Sequence, residues 1–248
     1  MDPFENKDSD LYPYGLRLVK NRRYTEFYSD SKESRSEWIS RLQKYCVLNN
    51  FFNDFNAICV LGKGNFAKVY KVVSKTTEKE YAAKIFEKQE VQKAAKFRKT
   101  IMSEIRIMRL LEHPYMMNLH QVYEGEQHIY LVFDIMKGGE MFGRVIQRKC
   151  YTEKNAAIVI KKLMETMKYL QKKGILHRDI KLENILLESE DDDCSIRLAD
   201  FGLSMLMSEY DPKVRCGTPG YVAPEILKNQ HYEYKSDIFS IGVVLFIL

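Results

Sequence analysis

The sequence predicts an α+β protein in which a β-rich first part precedes a mainly helical second part. Short strand-like runs dominate residues 55–133, and longer runs with helical spacing of apolar residues dominate from residue 139 onward. The apolar run at 238–248 is a third indication, because a segment that is apolar on all sides is typical of a buried helix.

With 45% hydrophobic and 29% charged residues, the 248-residue chain has the composition of an ordinary soluble globular protein. Its net charge of +5 comes from basic residues scattered among acidic ones, so nucleic-acid binding is disfavoured. The longest apolar run has 11 residues, whereas a membrane span needs about 20. The start of the chain lacks the apolar core of a secretory signal. Cysteines without CxxC spacing indicate a reduced, cytoplasmic compartment: Cys46, Cys59, Cys150, Cys194 and Cys216.

Residues 11–28 predict short strands, because apolar and polar side chains alternate there. Residues 31–45 predict a helix whose apolar stripe includes Trp38 and Leu42. Strands followed by one helix with the lone Trp resemble the C-terminal part of a pleckstrin-homology domain, over residues 1–47. The resemblance implies recruitment to phosphoinositide membranes, but the usual lipid-binding loop would belong to missing strands, so we assign no lipid site. An ordinary N-terminal extension that packs on the next domain is the alternative.

Residues 48–54 are expected to form a linker, and residues 55–70 a strand, a tight turn and a second strand. Gly62 and Gly64 allow close approaches that a Cβ would block, which suits a hairpin folded over phosphates. Alone, two glycines are weak evidence, because any tight hairpin can contain them. A dinucleotide-binding loop is disfavoured, since a strand follows Gly64 where that fold needs a helix.

A lysine and a glutamate stand out in the next two predicted elements. Lys84 lies among apolar residues of a strand at 80–86, and Glu104 lies beside the apolar face of a helix at 97–111. Singly, the lysine could extend its ammonium to solvent and the glutamate could be surface charge. Together they indicate an ion pair with a function.

The middle of the chain combines strands with a long helix. Strands are predicted at 116–122 and 128–133. A helix is predicted at 153–172, with Thr152 as its N-cap.

The stretch 177–184 brings a carboxylate, a cation and an amide together, at Asp179, Lys181 and Asn184. A loop this polar between two apolar runs favours chemistry over solvated surface. The acidic loop at 188–193 has no such combination and is expected to be solvated.

Five motifs in order identify the family that the chain resembles from about residue 55 onward. They are similar to the signatures of the eukaryotic protein kinases, of the Ser/Thr type. The resemblance implies a two-lobed fold, with an N-lobe at 55–133, a hinge at 134–138 and a C-lobe at 139–248. The motifs are the glycine loop at 61–69, Ala82-Ala83-Lys84, His177–Asn184, Asp200-Phe201-Gly202 and Ala223-Pro224-Glu225.

The resemblance implies transfer of the γ-phosphoryl group of ATP, a reaction in which the protein positions groups and neutralises charge. Asp179 would accept or orient the proton of the substrate hydroxyl, with Lys181 near the transferred phosphate. Asn184 and Asp200 would offer oxygen ligands to Mg²⁺.

Lys84, oriented by Glu104, would hold the α- and β-phosphates of ATP. His177 would pack against Phe201. The third glycine of the family's loop pattern is Ala67 here. The resemblance assigns nucleotide contacts to Leu61, Gly62, Lys63, Gly64, Asn65, Phe66, Ala67, Lys68, Val69, Ala82, Lys84, Phe133, Asp134, Met136, Glu140 and Leu186.

The expected partners are proteins with Ser or Thr acceptors in Arg-containing motifs. Lys181 and Thr218 resemble the Ser/Thr kinases, because tyrosine kinases usually carry Ala or Arg at the corresponding catalytic-loop positions. Glu140 and Glu183 stand where basophilic kinases bind a substrate Arg. Residues 216–227 are most similar to the calcium/calmodulin-dependent kinase group.

One departure concerns activation. Val214 stands where relatives often carry a phosphorylated Ser or Thr, so we do not expect activation by phosphorylation. Arg178 could still bind a phosphate in this segment, with Ser204, Ser208 or Thr218 as its carrier.

A second departure concerns the end of the sequence. Residues 238–248 match the family's central helix, which begins at Asp237, and the sequence stops after them. We expect a truncated kinase fold with this helix uncovered, preceded by the partial pleckstrin-like segment. The alternatives for function are an inactive kinase fragment, a pseudokinase scaffold and a small-molecule kinase. The complete set of catalytic residues disfavours the scaffold, and the intact segment 218–225 disfavours the small-molecule kinase.

Overall fold

In the computed structural model the chain forms two units, residues 1–94 with 119–134 and residues 95–118 with 135–248. The first is mainly β and the second mainly helical, which confirms the predicted α+β class. The residues that the structure describes are 2–6, 10–20, 23–64, 67–89, 95–209 and 214–248.

The first unit begins with a three-stranded antiparallel sheet. Its strands are β1 (Asp2–Glu5), β2 (Tyr14–Lys20) and β3 (Arg23–Ser29), with β2 in the middle. Helix α1 (Lys32–Leu42) follows, and Ser31 Oγ caps it by accepting the Ser34 N–H at 3.1 Å. These element types agree with the sequence pattern. The apolar stripe predicted for this helix, however, is not buried: the Trp38 side chain is 58% exposed.

The main sheet of the first unit has six strands. They are β4 (Val47–Leu48), β5 (Phe55–Lys63), β6 (Ala67–Ser74), β7 (Glu80–Glu87), β8 (Leu119–Glu124) and β9 (His128–Asp134). Their order is β4-β8-β9-β7-β6-β5, and neighbours are antiparallel except β4 and β8. The strand predicted at 116–122 begins at Leu119, because Met116 instead pairs with Leu198.

Residues 48–54, which the sequence suggested as a linker, are folded into this sheet. β4 pairs in parallel with β8, and helix α2 (Phe51–Asp54) follows it. The Phe51 side chain is only 2% exposed, and its ring lies 4.2 Å from the Tyr130 ring and 5.2 Å from the Phe55 ring. The linker prediction fails because the partners of these aromatic residues include a strand that comes much later in the chain.

The second unit is mainly helical. Its helices are α3 (Ala95–Leu110), α4 (Met141–Arg148), α5 (Glu153–Lys172), α6 (Pro224–Leu227) and α7 (Tyr234–Ile247). Its strands are β10 (Gly139–Glu140), β11 (Ile175–Leu176), β12 (Ile185–Leu187), β13 (Ile196–Leu198) and β14 (Met205–Leu206). β12 lies between β10 and β13, and β11 pairs with β14.

Helix α5 has the bounds that the sequence predicts. Thr152 Oγ1 accepts the Asn155 N–H at 3.2 Å, and Gly174, with a φ of 69°, ends the helical run. Helix α7 packs on α5 and buries Val244, while Phe246 is 92% exposed. Within the described ranges no helix has both the length and the apolar character that crossing a membrane requires.

Replacing Phe51 by Ala should lower the free energy of unfolding by about 3–5 kcal/mol, because it leaves a cavity among packed aromatic rings. Phe52 is the matched control, since it is 60% exposed. Phe52→Ala should lower the free energy of unfolding by less than about 1 kcal/mol. Urea unfolding followed by circular dichroism measures both, and equal losses would contradict the packing of residues 48–54 on the sheet.

Candidate active site

The polar loop between β11 and β12 gathers three side chains around the buried carboxylate of Asp179. Asp179 Oδ1 accepts the Thr218 hydroxyl at 2.6 Å. Its Oδ2 lies 3.0 Å from Lys181 Nζ and 3.0 Å from Asn184 Nδ2. Lys181 Nζ also donates to Thr218 Oγ1 at 2.9 Å. The structure therefore brings together four residues that the sequence singled out, one of them from a distant segment.

The backbone of this loop is held by Asp237, a buried residue in the first turn of α7. Asp237 Oδ2 accepts the His177 N–H and Oδ1 accepts the Arg178 N–H, each at 2.9 Å. Arg178 has a φ of 69°, a left-handed conformation that is unfavourable for a residue with a long side chain. Burial raises the pKa of Asp237 above its ordinary value, against the opposing effects of His177 and of the two N–H donors.

His177 is fully buried and links the loop to the segment that contains Asp200. Its ring lies 4.8 Å from the Phe201 ring, as the resemblance implies. Its Nδ1 accepts the Asp179 N–H at 3.3 Å, so the neutral ring carries its proton on Nε2 and donates it to the Ala199 oxygen at 3.2 Å. Burial lowers the pKa of His177, because a charged imidazolium would lose its hydration here.

The carboxylates of Asp200 and Glu104 both lie close to Gly202. A Cβ placed on Gly202 would lie 3.2 Å from Asp200 Oδ1 and 3.6 Å from Glu104 Oε2. Glu104 is buried, although its position in the sequence allowed an ordinary surface glutamate. Carboxylate oxygens are ligands that Mg²⁺ prefers, so two carboxylates close to one glycine make this part of the second unit suited to a cation.

Asn184 and Asp200 have the donor chemistry of a magnesium site. Asn184 Nδ2 donates to the backbone oxygen of Asp179 at 2.8 Å and to its carboxylate, which leaves the amide oxygen as the atom available to a cation. Amide and carboxylate oxygens are ligands that Mg²⁺ prefers. The two residues therefore fit the ion that the sequence predicts for them.

In the first unit, three neighbouring strands align predicted nucleotide contacts. Gly62 on β5 is opposite Val69 on β6, and Val69 is opposite Lys84 on β7. Ala82 on β7 is opposite Phe133 on β9. A Cβ on Gly62 would meet no atom of the described chain within 4 Å, so the backbone is open to a ligand there.

The other predicted nucleotide contacts have different surroundings. Asn65 and Phe66 lie outside the described residues. The Asp134 carboxylate is hydrogen-bonded to His120 Nε2 at 2.8 Å, so this side chain is engaged within the first unit. Leu61, Lys63, Gly64, Ala67 and Lys68 lie in or beside the β5–β6 hairpin, and Met136 and Leu186 belong to the second unit.

Two acidic residues of the second unit lie close to each other. Burial raises the pKa of Glu140, and the negative charge of Glu183 raises it further. Glu183 Oε2 is buried, and no hydrogen-bond partner for it occurs in the part of the chain that the structure describes. Two neighbouring carboxylates that can accept further hydrogen bonds are suited to binding a guanidinium group.

The acidic loop at 188–193 is not simply solvated, which corrects the sequence-based expectation. Asp193 pairs with Arg144 and with Arg148 Nε, the latter at 3.2 Å. Glu188 pairs with Arg197 and accepts the Ser195 hydroxyl. The spacing of two arginines four residues apart on α4 was a signal for this anchor, because such residues share one helix face.

Comparisons with known proteins match most of the chain. A family model described as "Protein kinase domain" matches residues 55–248. A calcium/calmodulin-dependent protein kinase type 1 from Macrobrachium nipponense is 39% identical over 191 residues, which cover 76% of this chain and 54% of the relative. A probable myosin light chain kinase from Dictyostelium discoideum is 39% identical over 194 residues, covering 76% of this chain and 60% of the relative.

A calcium/calmodulin-dependent protein kinase type II from Caenorhabditis elegans is 40% identical over 199 residues, or 80% of this chain and 27% of the relative. The chain spans somewhat more than half the length of the first two relatives. The family match begins at residue 55, so it lends no support to the pleckstrin-homology resemblance of residues 1–47.

Acid should destabilise the chain partly through His177, whose native pKa lies below the ordinary value of 6.5. As the pH falls through 6.5, His177 binds a proton in the unfolded state but stays neutral in the native state. Stability that is present above this pH is therefore lost below it. His177→Phe keeps an aromatic ring and removes the titrating group.

Urea unfolding at about pH 7.5 and about pH 5.5 should show a smaller loss of stability for His177→Phe than for the unmodified chain. His231, which is exposed, provides the control, and His231→Gln should not change the loss. Equal losses for the unmodified chain and His177→Phe would contradict the assignment of a neutral buried imidazole.

Proposed function

The chain belongs to the protein kinase domain family, and from this premise we propose that it is a protein serine/threonine kinase. It transfers the γ-phosphoryl group of ATP to Ser or Thr hydroxyls of protein substrates, with Mg²⁺ as the metal cofactor. The relatives' names describe kinases, which supports this proposal.

The observation that carries the proposal is a threonine hydroxyl held by both Asp179 and Lys181. Thr218 Oγ1 donates to Asp179 Oδ1 at 2.6 Å and accepts from Lys181 Nζ at 2.9 Å. A carboxylate and an ammonium that hold one hydroxyl in this way can orient a substrate hydroxyl in the same way. Asp179 then orients or accepts the departing proton, and Lys181 places positive charge beside the phosphoryl oxygens.

The metal ion, when bound, neutralises phosphate charge, and Asn184 and Asp200 are the residues that would hold it. The backbone of the β5–β6 hairpin, which is open at Gly62, would approach the phosphates, and Lys84 would place an ammonium beside them. Glu104 and Lys84 belong to different units, and their pairing stays a prediction.

Glu140 and Glu183 would give the enzyme a preference for substrates with an Arg before the acceptor. Burial and, after it, the negative charge of Glu183 raise the pKa of Glu140, and a guanidinium bound to both residues would relieve the repulsion between them. Glu183 Oε2 would at the same time gain the hydrogen-bond donor that a buried carboxylate oxygen requires.

Membrane recruitment through residues 1–47 and a cytoplasmic location stay predictions from the sequence. The described sheet β1–β3 and helix α1 are compatible with the C-terminal part of a pleckstrin-homology domain, but we assign them no lipid-binding residue.

Asp179→Asn should reduce phosphoryl transfer by about a hundredfold or more, because the amide cannot take a proton and binds Lys181 less strongly. Transfer of radiolabel from [γ-³²P]ATP to a Ser-containing peptide measures it. Asp191→Asn, at an exposed position, is the matched control and should keep full activity. A chain that binds ATP but transfers no label above the Asp179→Asn background would instead be a pseudokinase scaffold.

Glu183→Gln should lower kcat/KM about tenfold for a peptide with Arg before the acceptor, because it removes a charge-assisted hydrogen bond. The same peptide with Ala in place of Arg should react equally with both forms. Glu190→Gln, at an exposed position, is the control variant. Absence of any preference for the Arg peptide in the unmodified chain would refute the basophilic assignment.

A further inference from the structure

The Arg178 side chain donates hydrogen bonds to two other groups of the protein. Its Nε donates to the Leu203 oxygen at 2.7 Å, and its Nη1 donates to the Tyr232 hydroxyl at 3.3 Å. Its backbone N–H donates to Asp237, so hydrogen bonds fix both the backbone and the guanidinium group of Arg178. The guanidinium is therefore already directed at protein atoms.

The Tyr232 hydroxyl continues this connection. It donates to the Val214 backbone oxygen at 2.9 Å while it accepts from Arg178. A phenol hydroxyl has one proton to donate and lone pairs to accept with, so both bonds form at once. Tyr232 is only 2% exposed and belongs to a core cluster with Leu176 and Ile226. The hydroxyl is thus a buried link between the catalytic loop and residue 214.

Val214 cannot carry a phosphate, since its side chain has no hydroxyl. The bond from Tyr232 goes to its backbone oxygen, which every residue type provides. A phosphate in this position would bind a guanidinium through charge-assisted bonds. The link seen here uses a neutral hydroxyl and needs no modification of residue 214.

The position of Val214 matters for Thr218, because only three residues separate them. Gly217, one of these, lies directly against the loop: a Cβ there would be 3.1 Å from the Arg178 oxygen and 2.9 Å from Val222 Cγ2. Its φ of 119° also favours glycine. Residues 214–218 therefore pass tightly along Arg178 before Thr218 reaches Asp179.

We propose that Tyr232 is a positioning residue that, together with Arg178, holds residues 214–218 in the arrangement for catalysis without phosphorylation. The hydroxyl takes the place of the phosphate by joining Arg178 to the backbone of this segment. Its effect on catalysis passes through Thr218, which contacts Asp179 and Lys181. The catalytic part of this inference rests on the proposed kinase function, whereas the structural link does not.

Tyr232→Phe tests the link, because it removes the hydroxyl and keeps the ring in the core. Hydrogen exchange of the amides of residues 214–218 should accelerate about five- to tenfold, the factor that one neutral hydrogen bond supports. Tyr234→Phe is the matched control, since Tyr234 packs on the same cluster, and it should leave this exchange unchanged. Unchanged exchange in Tyr232→Phe overturns the link whether or not the chain is an active kinase.

The catalytic role has its own measurements. Tyr232→Phe should lower kcat for a Ser peptide about five- to tenfold and leave KM for ATP unchanged. In an Arg178→Gln background the same substitution should lower kcat by a smaller factor, because the two side chains act together. Phosphatase treatment of the unmodified chain should leave its activity intact.

Loss of activity after phosphatase treatment, or an equal factor in both backgrounds, overturns the proposed role of Tyr232. A chain that never transfers phosphate, but whose exchange accelerates in Tyr232→Phe, refutes the kinase proposal and its catalytic extension and leaves the structural link supported.

Discussion

The conformation of the loop at 177–184 depends on two hydrogen bonds that the buried carboxylate of Asp237 accepts. This carboxylate accepts two consecutive backbone N–H groups, those of His177 and Arg178, and buried backbone N–H groups require such partners. Two bonds to one carboxylate fix the direction of the chain at this point. They also stabilise the left-handed backbone of Arg178, which its own side chain disfavours.

That local turn determines where the neighbouring side chains lie. On one side, His177 turns into the core against Phe201 and fixes the segment that carries Asp200. On the other side, Asp179 emerges beside Thr218, where a hydroxyl, an ammonium and an amide surround its carboxylate. Preorganisation of this kind matters in phosphoryl transfer, because the protein contributes mainly position and charge.

The first unit is organised by strand register instead of by a buried charge. Antiparallel pairing places Gly62, Val69 and Lys84 in one row across three strands, so the β5–β6 hairpin and the lysine are neighbours through backbone register. The parallel strand β4 extends this sheet at its β8 edge, and the ring of Phe51 stacks on Tyr130 of β9. Residues before the matched kinase domain are thus part of the sheet's structure.

Elements with local signals, and the residue types of the candidate site, could be predicted from the sequence. Helix α5 was predictable because its cap, Thr152, and its apolar spacing lie within the helix or next to it. The motif residues from Lys84 to Asp200 could be identified because the motifs follow one another along the chain in the order typical of the family. Other features became visible only in the folded chain. Asp237 accepts a backbone N–H from a residue 60 positions away, and the Tyr232 hydroxyl donates to the Val214 oxygen. Phe51 is buried, whereas Trp38 is exposed. The physical reason is that segments distant in sequence supply the hydrogen-bond partners and cover the buried side chains. The local periodicity of the sequence contains no information about which distant segments these are.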